Sequence, residues 1–381
     1  MRVLVVSAWE PWRRGDGACL VLHAHLRELA DRHEVVLLSA GAPARRVAPP
    51  TLPVPARWYG RPLPAPADVV LRRLASRVEP AHVAYVERPD LLRDLQHELD
   101  ARRPDVLHLF GWGTAALQRF SNGVPTIHDA VDPWAANLAN RARSPLGRLL
   151  DAGQAGRVGA HEARHYPRLG AVVVRSDEDA ALLQAQVPAA RVRVVPNGVD
   201  LPADGAPTDE PVLAFLGAYD AASNVAAARS LVQDVLPLVR QRVPDARALL
   251  VGRDPTPELR ALDAEVTGTV PDVAAALRRA AVLVAPMTSG LGVKNKVLEA
   301  MAAGLPVVAT PLAVQGVGAS EGVLVGTGPA ELAELAAGLL LDPVRRRALG
   351  AANRRRAQNT LTWAHSADRL EGVWSECAST S

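Results

Sequence analysis

Two lysines stand in the stretch SGLGVKNKVLEAMAAGLPVVATP, residues 289–311, at positions 294 and 296. They are the only lysines among the 43 basic residues of a 381-residue chain. Gly290 and Gly292 just before them let backbone come close to a ligand. The helix that follows offers unpaired N–H groups at the positive end of its dipole. With Lys294 and Lys296 added, the stretch makes an anion site whose natural guest is a diphosphate. Glu299 lies one helical turn beyond Lys296, so both side chains leave the same face. Its carboxylate suits the two vicinal hydroxyls of a ribose, through charge-assisted bonds on the order of 1.5–3 kcal/mol each. The competing reading is a surface salt bridge between Lys296 and Glu299, worth about a few tenths of a kcal/mol. The confinement of both lysines to this one stretch favours the ligand.

The elements around the stretch follow from local signals. AVLVAP reads as a strand ending near Pro286, MTSGLG as a loop, and VKNKVLEAMAAG as an amphipathic helix. Gly304 suits the helix C-cap and Pro306 opens the next strand. The same alternation runs along the whole chain. Short apolar runs without period-two alternation recur in the first half (RVLVVS, EVVLLS, DVLHLF, VPTIHD, AVVVRS, RVRVVP). They recur in the second as well (VLAFLG, ARALLVG, VTGTV, AVLVAP, PVVATP, GVLVG). Strands buried on both faces and separated by helices imply parallel pairing, hence two doubly wound Rossmann-like α/β domains. Ligands of such sheets lie beyond the carboxyl ends of the strands, so two domains facing each other would share one cleft. The Pro-, Gly- and Asp-rich segment VPNGVDLPADGAPTDEP reads as a linker over 196–210. This gives domains at 1–195 and 211–355 and a C-terminal segment, 356–381. A second proline-dense stretch, residues 42–68, reads as a mobile loop or an acceptor-side lid.

Composition excludes several classes. The chain is too long for one core, and 49% apolar residues with evenly spread charge describe a globular protein. Cys19 and Cys377 lie far apart without metal-ligand spacing, which argues against a disulfide framework or a zinc site. The N-terminus lacks a signal peptide's basic region and long apolar core, and no run reaches the roughly 18–20 apolar residues of a membrane span. A cytoplasmic protein is expected. Between Ala135 and Arg175 seven arginines face only Asp151 and Glu162. A plain solvated helix surface is the preferred reading; the alternative is a face that rests peripherally on the anionic inner face of a membrane or meets an acidic substrate. No aromatic interleaving argues for nucleic acid. Asp177-Glu178-Asp179 has the form of a DxD metal site. Ser176 capping a helix whose first turn is acidic is the preferred reading, and no metal is expected.

At this point GVKNKVLEAMAAGLPVVAT resembles the hallmark segment of the retaining glycosyltransferases of GT-B fold, in the large branch called group 1 or family 4. PNGVD (196–200) resembles the group's entry into its second domain. FLGAYDAASNVAAARSLVQDVLPLV, PDARALLVGRDP and VTGTVPDVAAALRRAAVLVAP resemble its second-domain run. PTIHDAVD is similar to the strand end carrying the family's active-site histidine, and LTWAHSADRLEGVW to the helix that crosses back onto the first domain. The resemblance covers essentially the whole chain.

It implies transfer of a sugar from a nucleoside-diphosphate sugar to an acceptor hydroxyl with retention, without a cofactor, with UDP as the expected nucleotide. The acceptor would be a secondary metabolite, a polysaccharide or a lipid-linked molecule. In the first βα loop, SAWEPWRRGDGACL, Gly15 and Gly17 would approach the donor phosphate. His128 would contact the donor sugar through side chain or backbone, with Asp129 orienting it. Lys294 and Glu299 complete the catalytic set. Gly217, Gly290, Gly292, Val293, Asn295, Lys296 and Arg253 would hold the donor. Trp9, Trp12, Trp112 and Trp134 lie in N-domain loops of the kind that contact acceptors.

Two departures from the family pattern stand out. The loop after VLAFLG carries no basic pair before Arg229, so Lys294 and Lys296 would supply that charge. Leu291 occupies the place of the first carboxylate of Glu-x7-Glu, as in exopolysaccharide-type members with a glycine-rich, basic segment. The family's scheme needs no side-chain nucleophile, because stabilisation of the leaving phosphates helps same-face attack. A GT-B sugar-nucleotide epimerase and a non-catalytic GT-B partner protein are the alternatives.

Overall fold

The computed structural model describes residues 1–11, 17–41, 52–59, 80, 83–140, 145–290, 292–318 and 320–380. They form two compact units, Met1–Pro196 with Ser366–Ser381, and Asn197–His365.

The first unit carries β1 (Arg2–Ser7), β2 (Glu34–Ser39), β3 (Ala56–Trp58), β4 (Val106–Phe110), β5 (Thr126–Val131), β6 (Ala171–Val174) and β7 (Val192–Val194). They form a seven-stranded sheet in the order β3-β2-β1-β4-β5-β6-β7, parallel throughout. The second unit carries β8 (Val212–Leu216), β9 (Arg247–Val251), β10 (Glu265–Gly268), β11 (Val282–Ala285), β12 (Val307–Ala309) and β13 (Val323–Val325). Its six-stranded parallel sheet has the order β10-β9-β8-β11-β12-β13. Every residue of β4, β5, β8 and β11 is buried, as strands covered on both faces require. Each sheet reverses its strand order once, at β1/β4 and at β8/β11, and a doubly wound sheet opens its crevice there.

The apolar runs thus became strands, with one addition. β3 lies inside the proline-dense stretch and pairs at the sheet edge, where Leu37 N–H donates to Pro55 O at 3.0 Å. A three-residue edge strand tolerates flanking prolines because only one side of it is paired. Most of the remaining stretch lies outside the described residues, and so does its reading as a loop or lid.

The domain boundaries shift from those expected. The helix Pro343–Thr360 runs straight through position 355 and belongs to the second unit, and the chain leaves that unit only after His365. Position 355 carries no glycine or proline to stop a helix. The helix Trp363–Ser379 then covers the first unit, with Leu370, Val373, Trp374 and Cys377 buried. The segment read as a linker is pinned to the second unit rather than hanging free. Arg354 donates to Pro202 O at 3.0 Å and to Asp204 at 2.8 Å, Arg278 donates to Ala203 O, and Arg346 and Arg347 both hold Asp209. Among the described residues, no helix is long and apolar enough to cross a membrane.

Candidate functional site

The loops leaving β8 and β11 meet at the switch point of the second unit. Close glycine packing sets the β8 loop. A Cβ on Gly252, which follows β9 at φ +141°, would stand 1.8 Å from Gly217 O, so the two loops touch backbone to backbone. The β11 loop is tied down by Thr310, whose hydroxyl donates to Met287 O at 2.6 Å. Gly290 and Gly292 both take left-handed conformations, φ +110° and +69°. At Gly290 the dihedral demands glycine rather than the space, since an added Cβ would meet Ser223 Oγ at an ordinary 3.5 Å. Val293 packs on the core, and the helix Asn295–Ala302 begins two residues later than its apolar spacing predicts. Its far end is a Schellman turn: Gly304 at φ +83°, Leu305 N–H on Ala300 O and Gly304 N–H on Met301 O, each at 3.0 Å.

Both lysines point into this loop region. Lys294 is 7% exposed and donates to Gly292 O at 2.5 Å. Lys296 reaches across the switch point: its ammonium donates to Asn224 Oδ1 at 2.5 Å, lies 3.6 Å from Met287 Sδ and 4.3 Å above the Phe215 ring. Burial, then repulsion from Lys294, lowers its pKa to about 7, with Glu299 opposing. The surface ion pair offered as the alternative is therefore not what Lys296 makes. Glu299 keeps part of its surface exposed, yet sits deep enough for burial to raise its pKa to about 7; Lys296 pulls it down and Asp200 pushes it up. Among the described residues no hydrogen bond engages its carboxylate. Asn295 accepts from Asn197 Nδ2 at 2.8 Å, and the other amide atom of Asn197, Oδ1, is buried without a partner. Arg253 does not stand free for a diphosphate as expected. It bridges Asp220 at 3.0 Å and Asp254 at 2.5 Å, stapling the β8 and β9 loops.

In the first unit Gly17 is exposed at the start of the helix Gly17–Leu29, the helix that follows β1; Gly15, Trp12 and Leu291 lie outside the described residues. His128 sits on β5 but is 1% exposed. Its Nε2 lies 3.1 Å from Gly111 O, its ring packs 5.2 Å from Tyr166, and its Nδ1 is buried without a partner. Burial lowers its pKa to about 3, which favours the neutral imidazole at physiological pH and makes it a weak base. Asp129 does not orient it. Neighbours on a strand point to opposite faces, and Asp129 instead pairs with Arg175 in the core. Arg175, counted from sequence among a basic face, is 1% exposed and also donates to Val195 O at 3.0 Å. Glu162 is likewise internal, which leaves that face smaller than its composition implies. Ser176 accepts from Asp179 N–H at 3.1 Å, so the acidic triplet opens a capped helix.

Three tryptophans follow three adjacent strands: Trp9 after β1, Trp112 after β4 and Trp134 after β5. Trp112 stacks on Trp134 at 5.7 Å, and Trp9 meets Trp112 edge-on at 5.5 Å. Gly111, at φ +91°, makes Trp9's seat, since a Cβ there would lie 2.8 Å from the indole. Trp134 is core, whereas Trp9 and Trp112 are half-buried. The residue the sequence did not single out is Asn224. An asparagine inside a helical run gives no local signal of a role, and only its partner Lys296, far along the chain, reveals one.

Comparison with known proteins bears on the family and the fold. Residues 15–202 match the model of Glycosyltransferase Family 4, and residues 210–342 that of Glycosyl transferases group 1. The phosphatidyl-myo-inositol mannosyltransferase of Mycobacterium tuberculosis (strain ATCC 25618 / H37Rv) is 37% identical over 133 residues, 31% of this chain and 34% of that protein. That of Mycolicibacterium smegmatis is 35% identical over the same length. The chain thus spans about a third of the length of the curated relatives it matches. Among solved structures, the sucrose-phosphate synthase of Thermosynechococcus elongatus has a TM-score of 0.73 at 18% identity, with 100% of both chains covered. HepE of Anabaena in complex with UDP and glucose gives 0.65 at 15%, covering 98% of this chain and 99% of that one. WaaG, a glycosyltransferase of lipopolysaccharide biosynthesis, gives 0.65 at 15%, covering 97% and 99%. At these identities the likeness shows the fold. Through both parts of its sequence and the two parallel-sheet domains they build, the chain belongs to the group 1 and family 4 glycosyltransferases of GT-B fold.

Proposed function

We propose that the protein moves a sugar from a nucleoside-diphosphate sugar to an acceptor hydroxyl with retention, binding the donor's diphosphate at the β8/β11 switch point. The observation that carries this reading is the pair Lys294 and Lys296, held in a glycine-shaped loop at a helix start, with the partly buried side chain of Glu299 one turn on. In that reading the lysines and the helix N–H groups take the charge that develops on the departing phosphate, the main electrostatic demand of the reaction. The bond from the anomeric carbon to phosphate breaks, the acceptor oxygen bonds to the same face, and its proton passes to the departing phosphate. Ionised Glu299 accepts from the ribose hydroxyls. The lysines supply positive charge that a divalent cation would otherwise bring, so no metal is invoked. His128, being buried and neutral, serves by fixing Gly111 and the tryptophan above it rather than by proton transfer; Gly17, Trp9 and Trp112 are offered for the first unit's substrate contacts. UDP is the nucleotide put forward, with the UDP complexes of HepE as support.

Calorimetric titration of the full chain with UDP, GDP, TDP and ADP, with and without magnesium, tests the reading. One nucleotide should bind without metal, and Lys294→Ala and Lys296→Ala should weaken it far more than its nucleoside; Glu299→Ala should do the reverse. Parent-like binding by all three variants would overturn the site.

A further inference from the structure

We propose that Asn224 is a positioning residue that holds the Lys296 ammonium where the donor's diphosphate meets it, replacing basic side chains that the β8 loop lacks. The proposal rests on the reading of the switch point as the diphosphate site. Its geometry is specific. Asn224 lies near the start of the helix Ala222–Ser230, and its Nδ2 donates to Ala218 O at 2.8 Å. Only the amide nitrogen can donate to a carbonyl, so the amide's orientation is set and its oxygen must face the other way, toward Lys296 Nζ. Gly217 makes room for this: a Cβ there would come within 3.0 Å of Asn224 Cγ and 3.1 Å of its Cβ.

The ammonium has three protons and one strong acceptor. The other two face soft partners, the sulfur of Met287 and the ring of Phe215, which hold a cation without satisfying it. A phosphate oxygen would be the better partner for either proton. The charged groups around the site do not provide one. Lys294 repels Lys296, Glu299 attracts it without bonding it, and Asp220 of the β8 loop is occupied by Arg253. Asn224 thus keeps the lysine in place and, as an acceptor, favours its charged form while adding no charge of its own. An aspartate would pin the ammonium in an ion pair and cancel the charge meant for the phosphate.

The test uses the parent chain, Asn224→Ala, Asn224→Asp and Lys296→Ala, titrated with UDP and GDP and with uridine and guanosine between pH 6 and 8.5. Thermal melting accompanies each variant. Asn224→Ala should weaken the nucleoside diphosphate about tenfold, leave the nucleoside unchanged, and move the pH midpoint of binding lower. Asn224→Asp, of the same shape, should also weaken it, but move the midpoint higher. If both Asn224 variants keep the parent's affinity and midpoint while Lys296→Ala loses binding, the positioning role is overturned and the diphosphate site stands. If Lys296→Ala itself binds like the parent, the diphosphate reading fails and takes the proposal with it.

Discussion

Lys296 and Glu299 both titrate near pH 7 in the fold, from ordinary values of 10.5 and 4.5. The two shifts act on stability in opposite windows. Between pH 7 and 10.5 the unfolded chain binds the lysine proton that the folded chain has released, so this group makes stability rise with pH. Between 4.5 and 7 the folded chain holds the glutamate proton, so that group makes stability fall as pH rises. Keeping a cation beside apolar atoms is therefore a cost borne by the empty protein. Lys296→Met should raise the melting temperature of the ligand-free chain at pH 7 by about a few degrees while weakening diphosphate binding, as scanning calorimetry with and without UDP would show. The parent's affinity for a nucleoside diphosphate should decline as pH rises above 7, because only protonated Lys296 attracts it. Calorimetry in buffers of different ionisation enthalpy should register proton uptake on binding. Constant affinity from pH 6 to 9 would contradict the assignment.

At the scale of elements, the switch point is held by backbone contacts that leave no room for a side chain. Gly252 fits against Gly217 O only because it has no Cβ, and the helix Pro343–Thr360 reaches the Schellman turn through Gly350, whose added Cβ would lie 2.1 Å from Gly304 O. Gly252→Ala combines a clash with backbone and a conformation foreign to alanine. It should cost roughly 3 kcal/mol or more in urea unfolding, and it should impair nucleotide binding by displacing Gly217 and with it Asn224. Gly304 was legible as a C-cap, because glycine after an apolar-periodic run has one common explanation. The start of the same helix was not, since valine and lysine carry no cap signal and Lys294 adopts ψ 88° outside the helix.

At the scale of the molecule, the two units differ in how the chain builds them. The second is continuous, Asn197–His365, with its own core of Phe215, Leu250, Val284, Met301 and their neighbours. The first is finished only when the last helix returns. That helix brings Trp374 against His108 and His33, Ser366 to His25 at 2.8 Å, and Asp368 and Glu371 to Arg32. A fragment of residues 197–365 should fold alone and keep its nucleotide binding without transferring sugar. One of residues 1–196 should aggregate, because the cover of its core is missing. Trp374→Ala should cost about 3–5 kcal/mol and lower the first unit's stability selectively, read by hydrogen exchange in its strands.

The sequence by itself determined the elements and their class. Unbroken apolar runs between helical stretches require strands buried on both faces, and the segment around the lysines raised the expectation of an anion site through residue types that have few other uses together. Burial and periodicity are local properties, so they are written locally. Tertiary structure alone decided who meets whom. It carried Lys296 to Asn224, 72 residues away, instead of to Glu299 one turn along, and it sent Asp129 to Arg175 instead of to His128. It also made the supposed linker part of a domain through arginines far along the chain. A flexible side chain has several candidate partners within its reach, and only the packing of distant elements fixes which acceptor stands there.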